Sequence, residues 1–190
     1  MRILIYALPR TGSTNLAYYL AESLNYLVAI EPFHDSRFWQ LSLTDYDLFE
    51  RDNVVVKSMW GQGGYWYKDL KDKFDKVIIL WREDALQQAQ SYAYAALENS
   101  QEHWHDTYVY GNKEVPEEDV QKYVKWFQDR YKEVEDIDDF KTTYEKIYTT
   151  GEDLDRLDQH VGITGKSYRF ILDKNNKYRK DTKEVKKTLI

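Results

Sequence analysis

Cysteine is absent from this 190-residue chain, which excludes disulfide bonds, thiolate catalysis and cysteine-ligated zinc. Positive charge is not in excess: the formal net charge is −6, which disfavours bulk nucleic-acid binding because that depends on contacts to phosphates. No apolar run approaches the roughly 20 residues of a membrane-spanning helix. The N-terminal run "MRILIYALPR" is too short for a signal peptide. We therefore expect a soluble, cytoplasmic protein without nucleic-acid partners.

Short apolar runs alternate along the chain with segments of helical periodicity. This alternation predicts a three-layer α/β fold, in which helices flank a mostly parallel sheet. The length suits one domain with one core, so we expect a single domain over residues 1–190. The predicted strands cover residues 3–8, 26–30, 54–56, 77–81 and 141–144, and the predicted helices cover residues 15–24, 68–74, 84–98, 117–134 and 152–161.

Polar residues follow four of the predicted strands. Arg10 comes after the first strand, Glu31 after the second, Lys57 after the third and Arg82 after the fourth. Ligands of parallel α/β sheets bind beyond the carboxyl ends of the strands. The pattern therefore predicts that these four residues share one functional site.

The first of these turns, "PRTGST", has the features of an anion-binding loop. Gly12 permits a backbone conformation in which amide groups turn inward, and Ser13 and Thr14 stand at the predicted helix start. The helix N-terminus adds a partial positive charge and Arg10 a full one. The loop has no lysine, and the first glycine of a triphosphate-binding loop is replaced by Ala7, which counts against an ATPase or GTPase. An ordinary capped helix beside a solvated arginine is the alternative.

The loop closely resembles the 5′-phosphosulfate loop of sulfotransferases that use 3′-phosphoadenosine 5′-phosphosulfate (PAPS) as the donor. The resemblance implies a P-loop NTPase-like fold and transfer of a sulfuryl group to a hydroxyl or amine without a metal. It also implies that the loop holds the phosphosulfate. The residues concerned are Arg10, Thr11, Gly12, Ser13 and Thr14.

A second stretch, "WREDALQQAQS", resembles the segment with which this family holds the 3′-phosphate of the donor. Arg82 ends a predicted strand, and Gln88 and Ser91 lie three residues apart on the following helix. The pattern is especially similar to the carbohydrate branch of the family that is known for trehalose sulfation. A polar helix face, with Arg82 paired to a neighbouring acid, is the alternative.

Two further segments resemble the family more weakly. "YEKIYTTGEDLDRLDQHVGI" is similar to a segment that would bring Tyr144 near the adenine or the phosphates of the donor. In the basic C-terminal stretch, Arg179 and Lys180 are the candidates for closing over the 3′-phosphate. A core tyrosine and a solvated basic tail are the respective alternatives.

Sulfuryl transfer needs a general base and positive charge near the sulfuryl oxygens. Some branches of the family use a glutamate after the second strand, and Glu31 stands there. An apolar setting beside Phe33 would raise the pKa of this carboxyl group. A helix-capping or salt-bridged acid is the alternative for Glu31. His34 is the rival base because its ordinary pKa suits the task. Lys57 is the candidate for contacting the bridging or sulfuryl oxygens.

The acceptor is not named by the sequence. The segment 98–116 is rich in aromatic residues and, with Trp60 and Trp66, suits a surface that packs on sugars, although core packing also explains many of these rings. His103 and His105 have no settled third ligand, so no metal site is predicted. The chain is short for the family, and a homodimer could complete the acceptor site. The alternatives to a sulfotransferase are a P-loop-type kinase of small metabolites or nucleotides, and a catalytically silent nucleotide-binding module.

Overall fold

The computed structural model describes residues 1–33, 49–61, 64, 66–97, 115–166 and 168–172 of the chain. Within these ranges the strands are β1 (Arg2–Ala7), β2 (Leu27–Ile30), β3 (Val54–Met59), β4 (Lys76–Trp81) and β5 (Phe140–Thr143). The α-helices are α1 (Ser13–Leu24), α2 (Tyr67–Leu70), α3 (Ala85–Leu97), α4 (Glu117–Lys132) and α5 (Leu154–Val161). Two 3₁₀ turns (Lys71–Lys73 and Arg169–Leu172) and a π-helical turn (Glu145–Thr149) complete the described elements.

The five described strands form one parallel sheet in the order β2-β3-β1-β4-β5. Strand β1 lies at its centre and is buried from Ile3 to Ala7, which explains its uninterrupted apolar sequence. Because the sheet is parallel, all five strands end at the same edge. The predicted α/β fold with helices around a parallel sheet is therefore confirmed.

Side chains of β1 alternate between two cores on opposite faces of the sheet. Ile3 and Ile5 pack on one face with residues of α1 and α5, such as Leu16 and Leu157. Leu4 and Tyr6 pack on the other face, with apolar residues that include Phe33. Apolar clusters thus bury both faces of the sheet.

A third core begins where β1 ends. Leu8 packs between α3 and α4, in contact with Ala89, Ala93, Val120 and Phe127. This cluster fixes the two helices against the first residue of the loop that follows β1. The packing therefore connects the fold to the predicted functional edge.

Strand β3 is longer than its sequence pattern predicts. The run was expected to end at Lys57, but the strand continues to Met59, so that Lys57 lies inside it. A charged side chain is tolerated at this buried position because an acidic partner lies beside it, as described below. The other predicted strands and helices agree with the structure to within a few residues at each end.

Candidate active site

The loop from Leu8 to Ser13 connects β1 to α1 through two left-handed residues. Arg10 has φ = 67° and Gly12 has φ = 74°, and between them Thr11 is fully buried. The Thr11 hydroxyl donates to the carbonyl of Leu8 over 2.9 Å. The first N–H groups of an α-helix have no partner within the helix and carry partial positive charge. The loop therefore ends at a helix N-terminus that suits an anion.

Two side chains from other elements hold the carbonyl groups of this loop. The amide nitrogen of Gln88, which is fully buried in α3, donates to the carbonyl of Pro9 over 2.7 Å. The hydroxyl of Tyr148 donates to the carbonyl of Gly12 over 2.5 Å. Both bonds lie on the carbonyl side of the loop. The C=O and N–H of one peptide point in opposite directions. Because the two side chains hold the carbonyl groups, the N–H groups of the same peptides point to the other side of the loop.

Gln88 receives support of its own from α4. The hydroxyl of Tyr131 donates to the side-chain oxygen of Gln88, and burial raises the pKa of Tyr131. Tyr131 also packs edge-on against Trp60, whose ring stacks on Tyr6 with centroids 5.6 Å apart. Trp60 thus belongs to the packed interior beneath the loop, whereas Trp66 is 40% exposed.

The two stretches with family-like patterns meet in space. The Nε atom of Arg10 donates to the hydroxyl of Ser91 in α3 over 2.9 Å, across 81 residues of sequence. Ser91 is half-buried, and Ser13 and Thr14 stand at the adjacent start of α1. A side-chain hydrogen bond therefore joins the loop after β1 to the helix after β4.

Arg82 lies at the end of β4 in an environment of aromatic and acidic groups. Its guanidinium carbon is 4.4 Å from the ring centroid of Tyr144, and its Nε atom is 3.5 Å from the carboxylate of Glu145. Glu145 also accepts hydrogen bonds from the backbone N–H groups of Glu83 (3.0 Å) and Asp84 (3.4 Å). This carboxylate thus caps the entrance to α3 and orients Arg82.

Glu31, the residue after β2, forms a salt bridge with Lys57, which lies within β3. The side chain of Lys57 is 3% exposed and that of Glu31 is 13% exposed. The backbone N–H of Glu31 donates to the carbonyl of Lys57 over 2.7 Å, which continues the pairing of the two strands. The apolar setting predicted for Glu31 is therefore wrong. Phe33 turns into the core below, and the carboxylate faces an ammonium group instead.

Some predicted residues cannot be placed. His34, Arg179, Lys180 and the aromatic segment 98–114, with His103 and His105, lie outside the described residues. Among the residues that the structure does describe, no three acidic or histidine side chains are grouped so as to hold a metal ion. None of the described helices is both long and apolar enough to cross a membrane.

Sequence reasoning missed Tyr131, Tyr148 and Glu145 as parts of this site. Tyr131 and Tyr148 lie 43 and 136 residues from the groups that they bind. The chain has 17 tyrosines, so nothing local distinguishes these two. Glu145 follows Tyr144 directly, and the similarity of that segment to the family was the one available signal.

No protein-family model matches the chain, and no curated protein sequence does. Among solved structures, the mouse sulfotransferase SULT7A1 complexed with PAP is similar over 90% of this chain, with a TM-score of 0.55 and 12% identity. This chain spans 62% of the length of that protein. A likeness at this identity shows a shared fold, so the chain has the P-loop-like α/β fold that was predicted.

Two other solved structures are similar with lower scores. An unliganded sugar kinase from Janibacter sp. HTCC2649 has a TM-score of 0.46 at 12% identity, covering 86% of this chain and 95% of its own. YorR from Bacillus subtilis, in complex with phosphorylated GDP, has a TM-score of 0.42 at 13% identity, covering 84% of this chain and 98% of its own.

Proposed function

We propose that the protein is a sulfotransferase that moves a sulfuryl group from PAPS to a hydroxyl or amine of an acceptor. The hydrogen bond between Arg10 and Ser91 carries this proposal. Each belongs to a separate stretch that resembles one half of a PAPS site. The two stretches lie side by side because β1 and β4 are adjacent parallel strands, and within them the two matched side chains are in direct contact. Their contact supports one site for one nucleotide with phosphates at two positions.

The chemistry of the residues fits such a donor. The start of α1 and the guanidinium of Arg10 suit the 5′-phosphosulfate, because both favour anions. A guanidinium has five N–H donors, so one bond to Ser91 is compatible with further bonds to an anion. Arg82 and Ser91 suit the 3′-phosphate, and the loop carbonyls held by Gln88 and Tyr148 keep the amide side of the loop toward the ligand.

Glu31 is the proposed general base. PAPS supplies a sulfuryl group bonded to a good leaving group, the 5′-phosphate of PAP (3′-phosphoadenosine 5′-phosphate). In an in-line displacement, Glu31 takes the proton of the acceptor O–H or N–H as the acceptor atom bonds to sulfur. The sulfur–oxygen bond to the phosphate breaks, and PAP leaves. Lys57 favours the ionised carboxylate of Glu31 and brings positive charge near the sulfuryl oxygens.

The finer assignments rest on sequence resemblance. Similarity to the trehalose-sulfating branch depends on the "REDALQQAQS" stretch alone, and a carbohydrate acceptor depends on exposed aromatic side chains such as Trp66. Tyr144, Arg179 and Lys180 remain candidate donor contacts, His34 remains the alternative base, and a homodimer remains a proposal.

The test is sulfuryl transfer from radiolabelled PAPS to a panel of carbohydrates, lipids and tyrosine peptides. We expect transfer to at least one class and its loss in Glu31→Gln, which should still bind PAP. Glu152→Gln, a change at an exposed position near the start of α5, is the matched control and should retain activity. Wild-type protein that binds PAP but labels no acceptor would favour a silent nucleotide-binding module. Full activity in Glu31→Gln would remove Glu31 from the role of base.

A further inference from the structure

Tyr148 is packed directly against the tightest point of the loop. Its hydroxyl donates to the carbonyl of Gly12 over 2.5 Å. Its ring is so close that a Cβ atom on Gly12 would lie 2.7 Å from ring carbon Cε2. Glycine is thus required at position 12 both for its left-handed conformation and for the approach of this ring.

The backbone that presents Tyr148 is irregular. Residues Glu145–Thr149 form a π-helical turn after β5, and such turns are frequent at functional sites. The ring of Tyr148 stacks on Tyr144 with centroids 4.8 Å apart and an interplanar angle of 26°. The guanidinium of Arg82 in turn lies over the ring of Tyr144. One stack therefore extends from the end of β4 to the loop after β1.

The bond to Gly12 acts on the group that would meet a ligand. The carbonyl of Gly12 and the N–H of Ser13 belong to the same planar peptide group and point in opposite directions. Leu16 N–H already donates to this carbonyl over 3.1 Å as the first bond of α1. The hydroxyl of Tyr148 is a second donor to the same oxygen. It limits rotation of the peptide and so fixes the direction of the Ser13 N–H.

We propose that Tyr148 is a positioning residue for the phosphate-binding loop, whose hydroxyl holds the Gly12–Ser13 peptide with its N–H directed at the 5′-phosphate group of the nucleotide. The identity of the nucleotide rests on the proposed function, whereas the effect of Tyr148 on the loop does not. Tyr148→Phe isolates the hydroxyl, because phenylalanine keeps the ring that packs on Gly12 and Tyr144.

Tyr19→Phe is the matched control. Tyr19 lies in α1 and also donates a buried hydroxyl bond, over 2.5 Å to Asp158, but on the side of the helix that faces α5. Its removal reproduces the loss of one buried tyrosine hydroxyl bond without touching the loop. A merely structural role for Tyr148 predicts that the two variants behave alike.

The first arm measures binding of PAP, 5′-AMP and 3′-AMP by calorimetry. One hydrogen bond changes an equilibrium constant by about fivefold, so Tyr148→Phe should weaken the binding of PAP and of 5′-AMP by about that factor. Tyr148→Phe should leave the affinity for 3′-AMP unchanged, and Tyr19→Phe should leave the affinities for all three nucleotides unchanged. Equal weakening of 5′-AMP and 3′-AMP in Tyr148→Phe would overturn the proposal.

The second arm needs no ligand. Amide hydrogen exchange of peptides covering residues 10–16 should be about fivefold faster in Tyr148→Phe than in wild type or Tyr19→Phe, because the loop opens locally more often. Equal exchange in all three proteins would overturn the proposal. If the wild type bound no PAP, the proposed function would fail, and this arm alone would decide the role of Tyr148.

Discussion

Replacing Lys57 with methionine removes the ammonium from the salt bridge with Glu31 and keeps an unbranched side chain of similar length. Lys57 is 3% exposed, so the variant leaves the Glu31 carboxylate facing a buried apolar group. Removing one partner of a buried ion pair costs about 3–5 kcal/mol. Because Glu31 is 13% exposed and retains some contact with water, we expect a loss near the lower limit, about 3 kcal/mol.

Urea unfolding followed by tryptophan fluorescence measures this loss. With a slope of about 2–3 kcal/mol per molar urea, the midpoint should fall by about 1–1.5 M. Glu31→Gln should also destabilise the protein, because it removes the carboxylate that forms the salt bridge with the buried ammonium. The double variant Glu31→Gln/Lys57→Met removes both charges and should be at least about 1.5 kcal/mol more stable than the sum of the single losses predicts.

The double-mutant cycle measures the coupling between the two side chains directly. If the two single losses add to within about 0.5 kcal/mol, the side chains do not interact in the folded protein. The carboxylate of Glu31 would then lie apart from the ammonium of Lys57, the group that we propose favours its ionised form. The proposed base and the proposed contact to the sulfuryl oxygens would lose their structural basis together.

Three further perturbations test other parts of the account. Arg10→Ala should lower the rate of transfer by at least about a hundredfold while 3′-AMP binding changes little; equal losses in both measurements would make Arg10 a ground-state binding residue. Tyr131→Phe leaves the buried oxygen of Gln88 without its donor and should lower the free energy of unfolding by about 1–3 kcal/mol in urea; an unchanged midpoint would show that the Tyr131 hydroxyl gives Gln88 no support. Burial lowers the pKa of His160, so below pH of about 6.5 the unfolded chain binds more protons than the folded one, and stability should fall as pH falls. His160→Asn should flatten this dependence between pH 5 and 7, and an unchanged slope would assign it to other groups.

The strands and their order of appearance were predictable because each has a local signature. Buried parallel strands are short continuous apolar runs, and Ile3–Ala7 is such a run. The error at β3 has a physical cause. Lys57 interrupts the apolar pattern and was taken as its end, but the strand pairing sets Ile30 opposite Lys57 and brings Glu31 to the lysine. A partner from another strand thus made a charged residue acceptable inside β3.

The loop was predictable in part. Gly12 marked the turn, and its left-handed backbone agrees with that prediction. Arg10 also has a positive φ angle, although it is not glycine, and no sequence pattern indicates this. Its conformation is held by residues distant in sequence. Gln88 donates a hydrogen bond to the carbonyl of Pro9, and Ser91 accepts one from the side chain of Arg10.

The supporting residues were not predictable because their roles arise from tertiary contacts alone. Gln88 was expected to bind the donor. In the described structure both ends of its amide bind protein groups, the Pro9 carbonyl and the Tyr131 hydroxyl. Patterns indicate which residues reach the carboxyl edge of the sheet. They do not indicate which of these contact a ligand and which hold the others in place.

Calorimetric titration with PAP, 5′-AMP and ATP–Mg²⁺ tests whether Arg10, Arg82 and Ser91 form one site for a nucleotide with phosphates at both the 5′ and the 3′ positions. A second charged group held by Arg82 and Ser91 is worth about 1.5–3 kcal/mol, so PAP should bind at least about tenfold more tightly than 5′-AMP. PAP should also bind more tightly than ATP–Mg²⁺. Tight binding of ATP–Mg²⁺ with no measurable binding of PAP would contradict the account and favour a kinase.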